Sequence, residues 1–329
     1  MPFRLFDPAA HRRAQENASK IRWEPLAQRK APPSLTSHRE AASSYVASEE
    51  LTSAVNAALH LCAPLLLTGE PGTGKTQVAY HLAWYWDVPL FSLDVRSTTT
   101  AADLLYEFDT VAYFRESNGP QKPGERCDRR KFIRRGPLWQ ALDSVNRGTP
   151  AIVLLDEIDK AQRDFPNDIL TALDQSRFAV PEWDEAGPDG QRVEGKTVER
   201  SPGTAPPIVI ITSNSERRLP EAFLRRCVFH HIAFTEELVR DAVAAHRKEF
   251  AALSEAQVTL AVERFFELRT RSLRKKPATA ELLAWLIVLA AQNSPQTAAN
   301  LSERLGGTLD ALPELSVLVK DHDDLTQLR

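Results

Sequence analysis

A glycine-rich stretch reading G-E-P-G-T-G-K-T occupies residues 69–76 and fits the pattern G-x-x-x-x-G-K-[ST]. The three leucines just before it, residues 65–67, suit a short strand that is buried on both faces. From Ala79 onward, apolar residues recur at i, i+3, i+4 and i+7, which is the stripe of a helix packed on a sheet. The order strand, glycine loop, helix predicts an α/β fold with a phosphate-binding loop.

Each residue type in this loop suits an anionic ligand. Glycines allow backbone torsions and a close approach that a Cβ would forbid, so successive N–H groups can turn inward around phosphate oxygens at a helix N-terminus. We expect Lys75 to reach the β- and γ-phosphates of ATP and the Thr76 hydroxyl to ligate Mg²⁺. The candidate nucleotide-binding residues are Gly69, Glu70, Pro71, Gly72, Thr73, Gly74, Lys75 and Thr76.

A second motif follows about eighty residues later. The apolar run at residues 151–155 ends in Asp156 and Glu157, as expected of a parallel strand that carries carboxylates to its C-terminal edge. Ligands bind at that edge in open α/β sheets. Asp156 is therefore expected to hold Mg²⁺, and Glu157 to polarise an attacking water, whereas Asp159 is interpreted as a capping or structural residue.

A third apolar run, residues 208–211, leads to Asn214, which is placed to orient the water or to touch the γ-phosphate. A helix-like stretch then ends in Arg225 and Arg226. An arginine there can stabilise charge on the γ-phosphoryl group, either within its own chain or from a neighbouring subunit. An exposed pair of arginines on a solvated face is the simpler alternative.

With these motifs in this order, the sequence resembles an AAA+ ATPase, and within that class it is similar to the MoxR branch, over residues 40 to 329. The resemblance implies that residues 69–76 are the Walker A motif, that Asp156 and Glu157 form Walker B, and that Asn214 is the first sensor.

The arginines also take their roles from this resemblance. Residues 219–226 resemble the family segment L-P-E-A-x-L-x-R, which makes Arg226 the preferred arginine finger and Arg225 the fallback. The sensor arginine that the family often carries at the start of a lid helix has no clear counterpart. Arg274 or Lys276 would take its place, or the basic cluster is simply solvated.

Two further segments resemble the branch. Residues 131–138 are similar to the F-x-x-x-G-P segment that follows an insert in the second core helix, and residues 177–182 to the start of the hairpin before the first sensor strand. The polar segments 115–135 and 183–204 read as exposed loops, the first of them strongly basic. Trp183 is either an aromatic residue that grips a client or a packing residue of the hairpin.

These observations predict an extended arm over residues 1–40, an αβα P-loop nucleotide domain over 41–235, and a helical lid over 236–329. The nucleotide domain carries a basic insertion near 115–135 and a hairpin near 178–200. Strands are expected near 64–68, 89–95, 151–155, 207–212 and 228–233.

Composition limits the class of protein. The chain has 329 residues and a formal net charge of −3, which argues against wholesale coating of nucleic acid. Its three scattered cysteines, Cys62, Cys127 and Cys227, support neither a disulfide framework nor a zinc site, and they indicate a reducing, cytoplasmic compartment. Residues 1–13 lack a signal-peptide core, and the longest apolar run, 282–291, is too short for a membrane span.

Three functions are compatible with these residues. The resemblance implies a homo-oligomeric, hexameric chaperone-like ATPase that remodels a protein client, with a von Willebrand A-domain protein as partner and a role in complex maturation or bacterial conflict. A nucleotide-gated assembly scaffold, also compatible with a defence system, is the alternative from another class. A nucleic-acid translocase rests on the basic insertion alone.

Overall fold

The computed structural model describes residues 37–118, 127–186, 192–293 and 298–328. The chain divides into two compact units, one at Ala47–Ala233 and one that joins the described residues before Ala47 to those from Phe234 onward. The predicted N-terminal arm lies outside the described residues, except for 37–40.

The strands are β1 (Leu65–Gly69), β2 (Leu90–Asp94), β3 (Tyr106–Phe108), β4 (Ile133–Arg135), β5 (Ile152–Asp156), β6 (Arg177–Ala186), β7 (Arg192–Glu199), β8 (Ile208–Ser213) and β9 (Val228–Ile232). The helices of the first unit are α1 (Glu49–Leu61), α2 (Lys75–Trp86), α3 (Ala101–Leu105), α4 (Thr110–Ser117), α5 (Pro137–Asn146), α6 (Phe165–Gln175) and α7 (Glu221–Leu224). Those of the second unit are α8 (Glu236–Ala245), α9 (Glu255–Thr270), α10 (Thr279–Gln292), α11 (Ala298–Leu305) and α12 (His322–Gln327).

A parallel sheet forms the centre of the first unit, in the order β2-β5-β8-β1-β9. Every residue of β1 is buried, and so are the apolar residues of β5, because helices cover both faces of a parallel sheet. The predicted strands are all present, and each of their ends lies within one residue of its predicted position. The predicted α/β fold is confirmed: all the motif-bearing strands lie in one sheet.

The first insertion is more ordered than its composition suggests. The prediction of an exposed loop over 115–135 is wrong for its described parts, because α4 extends into it and β4 pairs antiparallel with β3. Tyr113 packs against Phe108 and Phe132, with ring centroids 5.6 and 5.8 Å apart, so aromatic contacts give the insertion a small core. Residues 119–126 lie outside the described residues.

The second insertion also differs from a loop. β6 and β7 form an antiparallel hairpin in the region where one is expected near 178–200, so the exposed loop expected over 183–204 is in large part strand, although residues 187–191 lie outside the described residues. Trp183 lies 5.9 Å from the ring of Trp139 on α5, and the Lys196 ammonium sits 4.3 Å from the Trp183 ring. These contacts correspond to the packing alternative for Trp183.

Helices α8 to α12 enclose the apolar core of the second unit. Trp285 of α10 is fully buried and donates from Nε1 to the carbonyl oxygen of Pro313 over 2.7 Å. The basic cluster before α10 is tied to α12, because the fully buried Asp324 accepts hydrogen bonds from the backbone N–H groups of Arg274 and Lys275. The Arg274 guanidinium also pairs with Asp323 at 2.5 Å.

Candidate active site

The glycine loop joins the buried end of β1 to the first turn of α2. Gly74 precedes α2 with φ +85°, a left-handed conformation that glycine adopts without steric cost. At Gly69 the backbone passes so close to β9 that a Cβ would lie 2.5 Å from the carbonyl oxygen of Ile232. A larger residue at either position would therefore distort the loop.

Lys75 lies folded back over the loop. Its side chain is buried, and Nζ donates to the carbonyl oxygens of Gly69 at 2.9 Å and Glu70 at 2.8 Å. Burial lowers the pKa of Lys75 below its ordinary value, although the nearby carboxylates, led by Asp156, act in the opposite direction. The ammonium is thus held at the phosphate-binding loop in an environment that favours an anionic partner.

Two of the predicted metal ligands meet across the sheet. The Thr76 hydroxyl at the start of α2 donates to Oδ1 of Asp156 at the end of β5 over 2.8 Å. The Thr212 hydroxyl on β8 donates to the same oxygen over 2.6 Å. The Asp156 carboxylate is therefore fixed from one helix, α2, and one neighbouring strand, β8, with a hydroxyl and a carboxylate oxygen side by side.

Glu157 follows with an unusual backbone. Its φ of +58° is left-handed, a conformation that residues other than glycine adopt uncommonly. Oε1 accepts a hydrogen bond from Nδ2 of Asn214 over 3.1 Å, and Oε2 forms an ion pair with Lys160. The Glu157 backbone N–H donates to the Thr212 hydroxyl over 2.8 Å. Thr212 therefore bridges the two consecutive acidic residues.

Asp159 shapes the turn that presents Asn214. It is buried, and its carboxylate accepts from the backbone N–H of Asn214 over 3.2 Å and from that of Glu216 over 2.9 Å. This is the structural role predicted for it. The turn places the side-chain amide of the half-buried Asn214 beside Glu157.

The two arginines lie away from these residues. Arg226 precedes the first residue of β9 by two positions, at the amino edge of the sheet, whereas the register pairs Gly69 with the last residue of β9. Four strand steps separate Val228 from Ile232, about 13 Å at the usual rise per residue. The structure thus brings Thr76, Asp156, Glu157 and Asn214 together and leaves Arg225 and Arg226 at the opposite edge.

Contacts distinguish the two arginines. Arg226 donates from Nε to Oδ2 of Asp174 over 2.7 Å and from Nη1 to the carbonyl oxygen of Ala222 over 2.8 Å. Among the described residues, the Arg225 side chain forms a loose ion pair with Glu221, at 3.5 Å, and it is 81% exposed.

The sequence did not predict a role for three residues of this arrangement, namely Thr212, Lys160 and Asp174. Thr212 directly follows the third apolar run and stands two residues before Asn214. Its position at the end of a predicted strand could therefore have indicated a role in the site. Lys160 is three residues after Glu157, which is a common spacing for an ion pair on a helical turn. No sequence signal distinguishes Asp174, because it is one of many acidic residues on helices.

Within the described residues, a polar and an apolar cavity lie at opposite edges of the sheet. The polar one, of about 400 Å³, adjoins Glu157, and Asp94, Lys160 and Arg217 are among the residues that line it. The apolar one, of about 430 Å³, lies at the amino edge, where it is lined by Leu65 and Ile208, the first residues of their strands. Only the first belongs to the candidate site.

A family model matches the stretch that contains the site. Residues 64–227 match the AAA domain of the dynein-related subfamily. This stretch is an AAA domain. The match runs from the residue before β1 to the residue before β9, so the domain includes the glycine loop, both carboxylates, Asn214 and the arginine pair. An AAA domain implies nucleotide binding and ATPase activity in general.

Solved structures were compared as well. A candidate ATPase from Cytophaga hutchinsonii is 14% identical, covers 89% of each chain and has a TM-score of 0.35. The Holliday junction branch migration motor RuvB of Thermotoga maritima is 11% identical, covers 86% of this chain and 68% of its own, and has a TM-score of 0.37. At these values neither likeness bears on function. No curated protein matches the chain in sequence.

None of the described helices combines the length and the apolar character that crossing a membrane requires.

Proposed function

We propose that the protein is a MoxR-like ATPase that assembles into a homo-oligomeric ring, expected to be a hexamer, and uses Mg²⁺-dependent ATP hydrolysis to remodel a partner protein. The observation that carries the proposal is the convergence of Thr76, Asp156, Glu157 and Asn214 beside the glycine loop. A protein that only binds nucleotide needs the loop, whereas a carboxylate held by an amide beside it suits the activation of water.

ATP would bind with its phosphates on the glycine loop and at the N-terminus of α2. The Lys75 ammonium would exchange the carbonyl oxygens of Gly69 and Glu70 for the β- and γ-phosphates. That exchange costs little, because the ammonium already lies at the loop and gains an anionic partner.

The residues present fit Mg²⁺. The Thr76 hydroxyl and the Asp156 carboxylate offer two hard oxygen donors 2.8 Å apart, and Mg²⁺ usually takes one or two such protein ligands together with phosphate oxygens and water. When bound, the metal neutralises charge that develops on the β- and γ-phosphates. Thr212 contributes indirectly, since its hydroxyl holds Asp156 in position.

Glu157 is the proposed base for the attacking water. Asn214 holds the carboxylate through Oε1, which leaves Oε2 as the oxygen that would accept the proton. Lys160 occupies Oε2 in the structure, so it must swing aside before this oxygen can act. The proposed base is therefore in place, but its reactive oxygen is paired with Lys160.

Arg226 is proposed to act on the nucleotide of a neighbouring subunit. It precedes Val228, which lies about 13 Å along β9 from the residue that pairs with Gly69, so its own nucleotide site is out of convenient reach. A site completed by a second copy would make activity depend on assembly.

The client is proposed from the sequence resemblance, which points to a protein partner and to a von Willebrand A-domain protein in particular. A cytoplasmic location belongs to the same proposal, because the three cysteines are free thiols, as expected in a reducing compartment. Nucleic acid is a weaker candidate. In the basic insertion, Arg130, Arg134 and Arg135 are paired with carboxylates, which reduces the charge available to phosphates.

The test is ATP turnover per subunit, measured with Mg²⁺ over a range of protein concentrations. We expect turnover to rise and then plateau as rings form, in parallel with the molar mass. Glu157→Gln should bind ATP without turnover, and Glu237→Gln, an exposed position on α8, should behave as the native chain does. Constant turnover by a monomer would contradict the ring.

The alternative function, a nucleotide-gated scaffold, makes a different prediction for the same variant. A scaffold locked on ATP by Glu157→Gln should still support assembly with its partner and its biological effect. A remodelling ATPase should lose the effect together with hydrolysis.

A further inference from the structure

The guanidinium of Arg226 is held at two points. Its Nε donates to Oδ2 of Asp174 over 2.7 Å, and Nη1 donates to the carbonyl oxygen of Ala222 over 2.8 Å. Asp174 is the second-last residue of α6, and Ala222 belongs to α7, so two separate helices define the direction of the fork. Nη2 has no partner among the described residues.

Asp174 and Arg226 line one open cleft of about 780 Å³ at the amino edge of the sheet. Ser176 and Arg200 line the same cleft. The side chain of Arg226 is 46% exposed, so its free N–H groups are accessible from solvent while Nε is engaged. An anionic group brought in by another molecule could reach Nη2 without breaking the contact with Asp174.

Arg225 offers a direct comparison within the same segment. Its ion pair is with Glu221, one helical turn away and 3.5 Å distant, and both side chains are more than four-fifths exposed. Such exposed pairs restrict a long side chain little. The two neighbouring arginines therefore differ in one respect that matters for catalysis, namely whether the guanidinium has a fixed direction.

We propose that Asp174 is a positioning residue that holds Arg226 in the orientation required of an arginine finger. Arginine has many rotamers, and a carboxylate on Nε selects one of them while leaving Nη2 and part of Nη1 for the γ-phosphoryl group of an adjacent copy. An Arg226 guanidinium in another orientation would stabilise the transition state less. This inference rests on the proposed function, and it selects Arg226 over Arg225.

A double-mutant cycle tests the proposal in the full-length chain. Turnover, KM for ATP, molar mass and thermal unfolding would be measured for Asp174→Ala, Arg226→Ala and the double variant. We expect Asp174→Ala to lower kcat about tenfold with KM unchanged. Arg226→Ala should lower kcat by about a hundredfold or more, and Asp174→Ala should add nothing to it.

Two further variants exclude a simple loss of folding. Asp174→Asn keeps an acceptor for Nε and should recover much of the lost activity. Glu221→Ala removes the partner of Arg225 on an exposed surface and should leave kcat unchanged. If Asp174→Ala slows the Arg226→Ala chain further, or leaves kcat of the native chain unchanged, the proposal is overturned.

The result for Arg226→Ala separates this inference from the proposed function. An undiminished kcat in that variant would remove both the finger and its positioning residue. A large loss with Arg226→Ala but none with Asp174→Ala would remove the positioning role alone and leave the proposed ring ATPase intact.

Discussion

Asn214 donates a hydrogen bond from Nδ2 to Oε1 of Glu157 over 3.1 Å, across 57 positions of sequence. The contact links the end of β8 to the end of β5, two strands that are hydrogen-bonded neighbours in the sheet. The side-chain amide of Asn214 donates to Oε1 and so holds the Glu157 carboxylate in one direction, while Oε2 pairs with Lys160.

Replacement of Asn214 by alanine should therefore slow hydrolysis more than it weakens binding. We expect Asn214→Ala to lower turnover by about 10- to 100-fold, because the proposed base Glu157 is no longer oriented, while the dissociation constant for ATP changes little. Steady-state kinetics and a fluorescent-nucleotide titration measure the two quantities. Asn56→Ala, on the exposed face of α1, is the control, and equal losses in binding and turnover would contradict the assignment.

Removal of the Thr212 hydroxyl should destabilise the first unit. Thr212→Val deletes an acceptor of the Glu157 N–H and a donor to Asp156 in a buried position, which should cost about 1–3 kcal/mol of unfolding free energy. Thr279→Val is the matched control. The buried hydroxyl of Thr279 has no hydrogen-bond partner among the described residues, so valine there should be neutral or stabilising. Denaturant unfolding gives the free energy of unfolding of both variants. An equal loss of stability in the two would contradict the structural role of Thr212.

ATP affinity should fall as the pH rises, and the fall should begin at a lower pH than for an ordinary lysine. Burial lowers the pKa of Lys75 in the absence of ligand, whereas phosphate binding requires its charged form. Affinity is then constant below the lowered pKa and declines above it, because binding must first take up a proton. Titrations of ATP binding from neutral pH upward test this. Lys75→Arg, which stays charged, should flatten the profile.

Thiol reagents should distinguish the cysteines. Burial, with a smaller contribution from Asp174, raises the pKa of Cys227 to about 12, and burial also raises the pKa of Cys127. Cys62 is exposed. Since the thiolate is the reactive form, iodoacetamide near neutral pH should modify Cys62 first and Cys227 slowest. Mass spectrometry of timed samples measures the order, and Cys62→Ser should remove the fast phase. Modification of Cys227 as fast as Cys62 would show that it is less buried than described.

The parts of the fold that followed from the sequence are those with strong local signals. Continuous apolar runs marked β1, β5 and β8, because a strand buried on both faces must be apolar throughout. The glycine loop marked the start of α2, since its pattern requires particular backbone torsions. Both signals are carried by a few consecutive residues.

Contacts between distant segments could not be predicted from such local signals. The hairpin of β3 and β4 was missed because its short strands are polar on one side and its core consists of aromatic residues from separate segments, Phe108, Tyr113 and Phe132. The pairing of Asp174 with Arg226 depends on how α6 packs near α7, which no local pattern reveals.

In the proposed ring, each active site joins the glycine loop of one subunit to Arg226 of the next. The most direct test of this arrangement is to mix two variants, Lys75→Ala and Arg226→Ala, each of which should hydrolyse ATP slowly alone. In verified mixed oligomers, some interfaces combine an intact loop with an intact arginine, so turnover should exceed the sum of the separate variants. Turnover no greater than that sum, with co-assembly demonstrated, would contradict the account.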